Sequence, residues 1–517
     1  MRNISFKFGY VMLIVFMAMS LPVFAGGSRA GAINPLDQST FPALDRSEPY
    51  EVIMYYSGDI RPRQREIFDN FNNLARAKIN TTLDQRLLPT SDWRTTYPLL
   101  FASGEVFDLA YAATWIDFAG LARRGSFMPL QHLAPRYAPT VHRRQAPSAI
   151  VQASIGDNLY GLPSLVATYS AYGPIFRTDL VEGRGWNGRM TNLADLEAYL
   201  DIIRANYPAM EPIQITTGGS EIDDMWMYER GIYGIMGGTN SFFFIDPFEA
   251  NPRLFTFYEY APVRTEFLPM VARWNQKGLF PSAALTDTTP DKFRNGISAA
   301  RIHNIDAYDG EYRTHPTWGI RWENFVSDVS YMSFTQDTLV VASSSRNPHR
   351  ALDMWEAIMT DEQLYRAFYF GIENVSYRIH NVRGQDYVEQ TDIIANQLMD
   401  WTRMWAARTP EFYLPTFGAP EDLGRRKAAF DSYITEGVGS QKFRSFVPDI
   451  SAVETEWANL INAHRQYWWP LELAYVPLEQ GLADYQRAME AAGVERVRQV
   501  LQGQLDEYIR NFRIPGR

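Results

Sequence analysis

The sequence predicts an α/β protein, and two observations carry that prediction. Short extended apolar runs alternate, between residues 50 and 124, with stretches whose apolar residues recur every three or four positions. A second series of such units begins after residue 169. Alternation of this kind implies a parallel sheet covered on both faces. Hydrophobic residues make up 46% of the 517 residues and charged residues 21%, so a large core is available and a disordered chain is excluded. The length suggests roughly two to four lobes, at about 150 residues each. Cysteine is absent, which removes disulfides, thiolate metal sites and thiol nucleophiles.

The elements follow in order. Tyr50 to Tyr56 reads as a buried strand ending in the turn Ser57-Gly58-Asp59. Arg63 to Ala77 places Ile67, Phe68, Phe71, Leu74 and Ala75 at helical spacing. Ile79 to Leu88 is the next strand, and Ser91 or Asp92 caps a helix through Tyr97, Leu100 and Phe101. Phe107 to Ala112 is a third strand, with a helix from Trp115 to Arg124 behind it. Tyr160-Gly-Leu-Pro163 breaks the series, and Tyr169 to Phe176 is extended again. Leu193 to Ala205 is a helix capped by Thr191 or Asn192. Leu268 to Asn275 is helical and stops at Lys277-Gly278; Ser298 to Ile305 and Thr338 to Ser343 are strands. Asn347-Pro348 is a cap followed by proline at the first helical position, and Thr360-Asp-Glu-Gln363 has the form of a capping box. Leu482 to Phe512 is helical, with an apolar stripe running from Tyr485 to Phe512 and a break at Gly493.

The first 25 residues have the three parts of a secretory signal: Arg2 and Lys7, an apolar run from Phe8 to Leu21, and Val23-Phe-Ala25 before Gly26. The apolar run falls short of the roughly 20 residues that span a bilayer, so cleavage is expected. Residues 26–47 read as a flexible leader. A net charge of −10 argues against nucleic-acid binding. The sequence contains no His-Glu-x-x-His pattern, phosphate-binding Gly-Lys-Ser/Thr loop or Gly-x-Ser-x-Gly elbow, and no catalytic residue, metal or cofactor is expected. Asp306, Asp309 and Glu311 lie close enough in sequence to suggest a glycosidase pair, but the chain has 59 acidic residues, so such clusters arise freely.

Several stretches, in their order and spacing, resemble the extracellular solute-binding proteins of sugar-type ABC importers. They are Gly104-Glu-Val-Phe-Asp-Leu-Ala-Tyr-Ala-Ala-Thr-Trp115 with Arg124-Gly-Ser-Phe-Met-Pro-Leu130, then Asn158-Leu-Tyr-Gly-Leu-Pro163 with Gly173-Pro-Ile-Phe-Arg-Thr-Asp-Leu180. Met270 to Pro281, Phe293 to Ala300, Ser345 to Leu352 and Gly371-Ile-Glu-Asn374 continue the likeness. The tail from Glu490 to Asp506 resembles the helical C-terminal module of lipoprotein-type binders whose ligands are largely unassigned. The resemblance covers residues 48–514 and implies a two-lobe clamshell with several crossovers. One lobe takes 48–162 plus 333–400; the other takes 166–330 plus 405–514, with the helical module at about 450–514. Crossovers are expected near Leu162–Val166, Ser330–Thr335 and Trp401–Pro415, with ligand in the cleft at the carboxyl ends of strands. The chain departs from the family in lacking a lipid-modified cysteine. Asn206-Tyr-Pro-Ala-Met-Glu-Pro212 stands where many relatives carry an acidic calcium loop, so calcium is not expected there.

A sugar site needs aromatic plates for the flat faces of the rings, and carboxylates or amides for the hydroxyls. Asp59 follows the first strand, where it accepts from hydroxyls or closes a turn. The resemblance brings the loop carrying Trp115 and Asp117 to the cleft; the plainer roles are a core aromatic and a helix cap. Tyr169 and Tyr172 follow a crossover and either stack on ligand or pack in the sheet. Trp226 lies where the family places stacking aromatics, Asp306 and Tyr308 follow a strand whose successor residue meets ligand there, and Phe417 lies past the third crossover. Trp457, Trp468 and Trp469 belong to the cleft edge or to the core. The expected function is capture of a carbohydrate, an oligosaccharide in the first instance, and its delivery to an ABC permease. The protein is expected to be a periplasmic or secreted monomer without Cys-linked lipid and to catalyse nothing. A peptide or other small-solute binder on the same fold, or a secreted glycoside hydrolase, are the alternatives.

Overall fold

The computed structural model describes residues 42–88, 93–215, 221–235, 241–287, 289, 291–392, 397–398 and 404–512. The signal segment, most of the leader, the Ser91 and Asp92 cap, and the start of the third crossover at Trp401 lie outside these residues.

Two sheets organise the chain. The first contains β1 (Tyr50–Ser57), β2 (Thr81–Leu88), β3 (Leu109–Ala112), β4 (Leu162–Pro163) and β8 (Thr338–Val341), in the order β2-β1-β3-β8-β4. β1 runs parallel to both β2 and β3, pairing Tyr50 with Thr81 and Met54 with Leu109. β8 is antiparallel to β3 and to β4, so the sheet is mixed where the alternating pattern predicts a parallel one. The reason is the route of the chain. A parallel neighbour needs a crossover within the lobe, but β8 enters from the other lobe, at the end of the sheet where β1 and β3 finish.

The helix Gln64–Ile79 packs its stripe of Ile67, Phe71, Ala75 and Ile79 on this sheet. The helix Pro348–Thr360 starts as the sequence predicts, with Asn347 accepting from the Arg350 backbone N–H at 3.2 Å and Pro348 in the first turn. The next helix, Glu362–Tyr369, is capped one residue later than the Thr360 pattern implies. Asp361 accepts from Gln363 and Leu364 at 3.0 Å each, while the Thr360 hydroxyl donates back to Glu356 O in the preceding helix. Thr360 still belongs to that earlier helix, so the cap falls to the first residue that has left it. Arg350 is buried and donates to the backbone of Asp45, Glu48, Ile79 and Asn80, tying the chain entering β1 to the turn before β2.

The second sheet is antiparallel throughout, with β5 (Tyr172–Arg177) between β6 (Ala300–Asn304) and β7 (Ile320–Trp322). A Cβ on Gly173 would stand 1.7 Å from the Glu323 carbonyl oxygen, so only glycine admits that approach. The helix Leu193–Asn206, capped by Asn192, covers one face with Leu196, Tyr199, Leu200 and Ile203. Ile305 and Tyr308 of the helix Ile305–Thr314 cover the other, with Trp322 and Phe430. The C-terminal helices Leu478–Ala491 and Val494–Asn511 break at Gly493 (φ 92°) and bury Tyr485, Met489, Val497, Leu501 and Leu505 in the second core. Trp468 is wholly buried there, and Trp457 and Trp469 pack against the same core.

One apolar core therefore draws on residues between 52 and 162 and between 339 and 407; Met404, Ala406 and Ala407 belong to it. The other lobe is built from residues between 169 and 329 and between 430 and 505. The two are joined by paired extended segments: Ser164 donates to Asp337 O at 2.8 Å, Met332 to Thr168 O at 2.9 Å, and Ser170 to Ser330 O at 2.8 Å. Among the described residues, no helix is long and apolar enough to cross a membrane.

Candidate functional site

A cavity of about 1700 Å³ lies between the two cores. It exceeds the roughly 300–1,000 Å³ of an ordinary small-molecule site. Lobe one presents the segments that follow β1 and β3, carrying Asp59, Thr114 and Trp115, and the segment that leads into β8, ending in Asp337. Lobe two presents β5, β6 and the helices Ile222–Glu229 and Ile305–Thr314.

Backbone periodicity sorts the candidate residues. Along the strand entering β5, Thr168, Ser170 and Tyr172 face the cavity, while Tyr169 and Ala171 point into the core. Tyr169 is therefore not a cleft residue: it packs on Phe430 and donates to Asp431 at 2.8 Å. On the helix Ile222–Glu229, Asp224 and Tyr228 are four apart and share the cavity face. Trp226, about 200° round from Asp224, is buried against Tyr260 and Phe267, with Arg230 stacked on its ring at 3.8 Å. On the helix Ile305–Thr314, Asp306, Asp309, Gly310 and Arg313 face the cavity, and Tyr308 turns inward, its hydroxyl 3.4 Å from Asp422 Oδ1. Tyr308 and Trp226 are thus core residues. The sequence places both Asp306 and Tyr308 after the strand as ligand contacts; the segment is the first turn of a helix, which sends the two side chains to different faces.

Six candidates line the cavity: Asp59, Trp115, Asp117, Tyr172, Asp306 and Phe417. Asp117 sits at φ 66° and uses its carboxylate locally, accepting from the Gly120 N–H at 3.2 Å and from Arg124 at 2.7 Å. Its helix-cap role is the one that its contacts support. Tyr172 stacks on His303 with centroids 6.3 Å apart. Phe417 is 39% exposed and stacks on His380 at 3.9 Å. The hairpin Tyr377–Val382 and Gln385–Gln390 holds it there, because the Phe417 N–H donates to Val388 O at 2.8 Å.

The charges of the cleft are concentrated in lobe two. Lys427 contacts Asp306 at 2.5 Å; burial pushes the Asp306 carboxyl up, but Lys427 and Arg408 more than offset this and hold it below its ordinary value. Arg294 and Arg301 share Glu311 at 3.2 and 3.0 Å, and Arg313 holds Asp309 at 3.1 Å. Arg408, from the first core, is 7% exposed and lies 4.0 Å from Asp337, which also accepts from Tyr111 at 2.8 Å. Burial pushes Asp337 up despite those two partners. Asp224 is also 7% exposed; burial, then the charges of Asp223 and Glu221, push its carboxyl well up.

A family profile described as "Domain of unknown function (DUF3502)" matches residues 442–510. The chain is 19% identical to a protein of Streptococcus pneumoniae described as a carbohydrate ABC transporter substrate-binding protein, over 96% of this chain and 98% of the relative. The crystal structure of the N-glycan transport solute binding protein NgtS from Streptococcus pneumoniae, in complex with Man1GlcNAc, superposes with a TM-score of 0.73 at 16% identity, covering 89% of this chain and 100% of that one. The alginate-binding protein AlgQ2, solved without calcium ion, superposes with a TM-score of 0.61 at 16% identity, covering 89% and 98%. The chain has the two-lobe fold of the ABC-importer solute-binding proteins.

In this solute-binding fold, Tyr228 and Tyr233, beside Trp226 in the stretch where the family places stacking aromatics, line the cleft from lobe two. It also holds residues that the sequence did not single out: Tyr331 from lobe two, and Tyr369, Trp405 and Tyr413 from the side of lobe one. The pair Asp224 and Tyr228 was within reach of helical periodicity, since its spacing of four marks one face. Trp405 and Arg408 carried no such signal: they open and close a short 3₁₀ turn, Trp405–Ala407, where the Trp405 ring packs on Tyr111 with centroids 5.9 Å apart. No group of three or more potential metal ligands occurs among the described residues.

Proposed function

We propose that this protein captures an oligosaccharide between its lobes and delivers it to the transmembrane subunits of an ABC importer, outside the cytoplasmic membrane after removal of residues 1–25. The observation that carries the reading is the interlobe cavity of about 1700 Å³, walled by half-exposed aromatic rings on both sides. Trp115, Tyr172 and Phe417 offer faces to sugar rings, and Asp306 and Asp59 accept from hydroxyls. The relative described as a carbohydrate ABC transporter substrate-binding protein, matched over nearly the whole chain, supports the same class of solute.

Such a protein makes and breaks no bond. Ligand touching both lobes favours the closed arrangement by its differential affinity for it, and closure aligns the outer rims for docking on a permease. The paired segments 164–170 and 330–337 are where the lobes would swing.

The test is a thermal-shift screen of the chain from Gly26 against oligosaccharides, monosaccharides, amino acids and short peptides. A ligand at 100 times its Kd stabilises by about 2.7 kcal/mol. The expected result is a shift with one class of oligosaccharide, stable over hours and lost in Trp115→Ala. A shift with peptides alone, or consumption of the glycan during the run, overturns the reading.

A further inference from the structure

We propose that the cleft selects uncharged oligosaccharides and rejects those bearing uronic acids. The inference rests on the carbohydrate-binding reading above and names the class of sugar. It follows from how the charges of the cleft are paired, not from their number alone.

Among the described residues that line the cavity, eleven are Asp or Glu and six are Arg or Lys. Five of the six cations already face carboxylates. Arg294 and Arg301 converge on Glu311, Arg313 on Asp309, Lys427 on Asp306, and Arg408 lies beside Asp337. The sixth, Arg444, donates through Nε to Met332 O at 2.7 Å and lies 3.4 Å over the Phe334 ring, so its face is covered by the chain itself. A carboxylate-bearing ligand would have to compete with a carboxylate already facing five of these cations, and at Arg444 it would meet a guanidinium whose face is covered.

The acidic surplus is placed where ligand would meet it. Glu221 lines the cavity beside Asp224, whose carboxyl burial holds toward the neutral, hydrogen-bond-donating form. Glu421 opens the helix Glu421–Tyr433 at the cavity rim, and Asp328 accepts from the Ser440 N–H at 2.6 Å on the same wall. Sugar hydroxyls can donate to such acceptors. A uronate has only lone pairs to offer at its carboxylate, and at low salt the acidic wall repels it as it approaches.

The experiment is calorimetric titration of the chain from Gly26 with neutral oligosaccharides and with oligouronates of matched length, at 20 mM and 500 mM salt. The expected result is binding in the neutral series and at least 100-fold weaker binding of the oligouronates at low salt, a ratio that narrows at high salt. Asp328→Asn and, as an exposed variant that keeps the fold, Glu421→Gln are each expected to narrow the ratio by improving uronate binding. Oligouronates binding as well as, or better than, neutral glycans overturns the selectivity and leaves the carbohydrate reading standing. A ratio unmoved by salt and by both variants overturns its electrostatic basis. Binding of no glycan overturns both readings together.

Discussion

The two lobes face each other across one cleft but are built from different chemistry. Lobe one offers Trp115, Tyr369 and Trp405 on short turns and a helix end and Tyr387 on a hairpin strand, with Asp337 and Arg408 as its buried charges. Lobe two offers tyrosines as well, with Tyr172 on β5 and Tyr228 on the helix Ile222–Glu229, and its helix Ile305–Thr314 carries the ion pairs of Asp306, Asp309 and Glu311. The cores differ in the same sense. That of lobe two stacks Trp468 on Phe257 at 4.1 Å and gives its indole N–H to Asp223 at 2.7 Å, with His464 and Glu472 buried beside them. In lobe one the corresponding large residue, Trp355, meets Phe368 edge-on in an apolar setting. Polar groups placed inside a core demand fixed partners, so Trp468 sits in a more tightly specified setting than Trp355.

The largest test of this contrast removes the two tryptophans in turn. Each truncation costs about 3–5 kcal/mol in lost packing. Trp468→Ala also strips Asp223 of a donor, adding about 1–3 kcal/mol. In urea unfolding, Trp468→Ala is expected to destabilise more and to split the transition, with lobe two melting first. Equal losses would break the comparison.

Acid provides a second test. Burial pushes the His464 imidazole down to about 3, against an ordinary 6.5. Above 6.5 the ring is neutral in both states and costs nothing. Below 6.5 the unfolded chain takes up a proton that the folded chain does not, so stability falls by about 1.4 kcal/mol per pH unit until pH reaches about 3. Between pH 6.5 and 5 the loss is about 2 kcal/mol. Asp223 and Glu472, pushed up by burial, act in the opposite direction as pH falls. The difference between the wild type and His464→Gln isolates the histidine, and that difference should shrink as the pH falls through this range. A constant difference would show that the ring is not buried neutral.

The smallest effect sharpens the comparison at a point where the lobes should agree. Asn192 caps a lobe-two helix and Asn347 a lobe-one helix by the same bond. Asn192→Ala and Asn347→Ala are each expected to cost about 1 kcal/mol in thermal unfolding. A much larger loss at Asn347 would show that its cap also positions Arg350.

The elements themselves were legible. Both asparagine caps, the Gly493 break and the helix from Leu193 depend on local chemistry, and all four are where the sequence implies. The site was legible by segment but not by side chain. Every candidate region reaches the cavity or abuts it, yet Tyr169, Trp226 and Tyr308 turn away from it while Ser170, Tyr228 and Asp309, one or two positions off, turn toward it.

What the sequence determined by itself is therefore the local order: alternating strands and helices, their caps and stops, and a composition rich in aromatic residues. Those features arise from hydrogen bonds and side-chain spacing within a few residues. The tertiary structure decided the direction of β8, which face of each element meets the cleft, and which cation neutralises which carboxylate. The direction of β8 and the pairing of Asp306 with Lys427 or Tyr111 with Asp337 depend on partners a hundred or more residues away, and no local pattern encodes a contact made only when the chain returns.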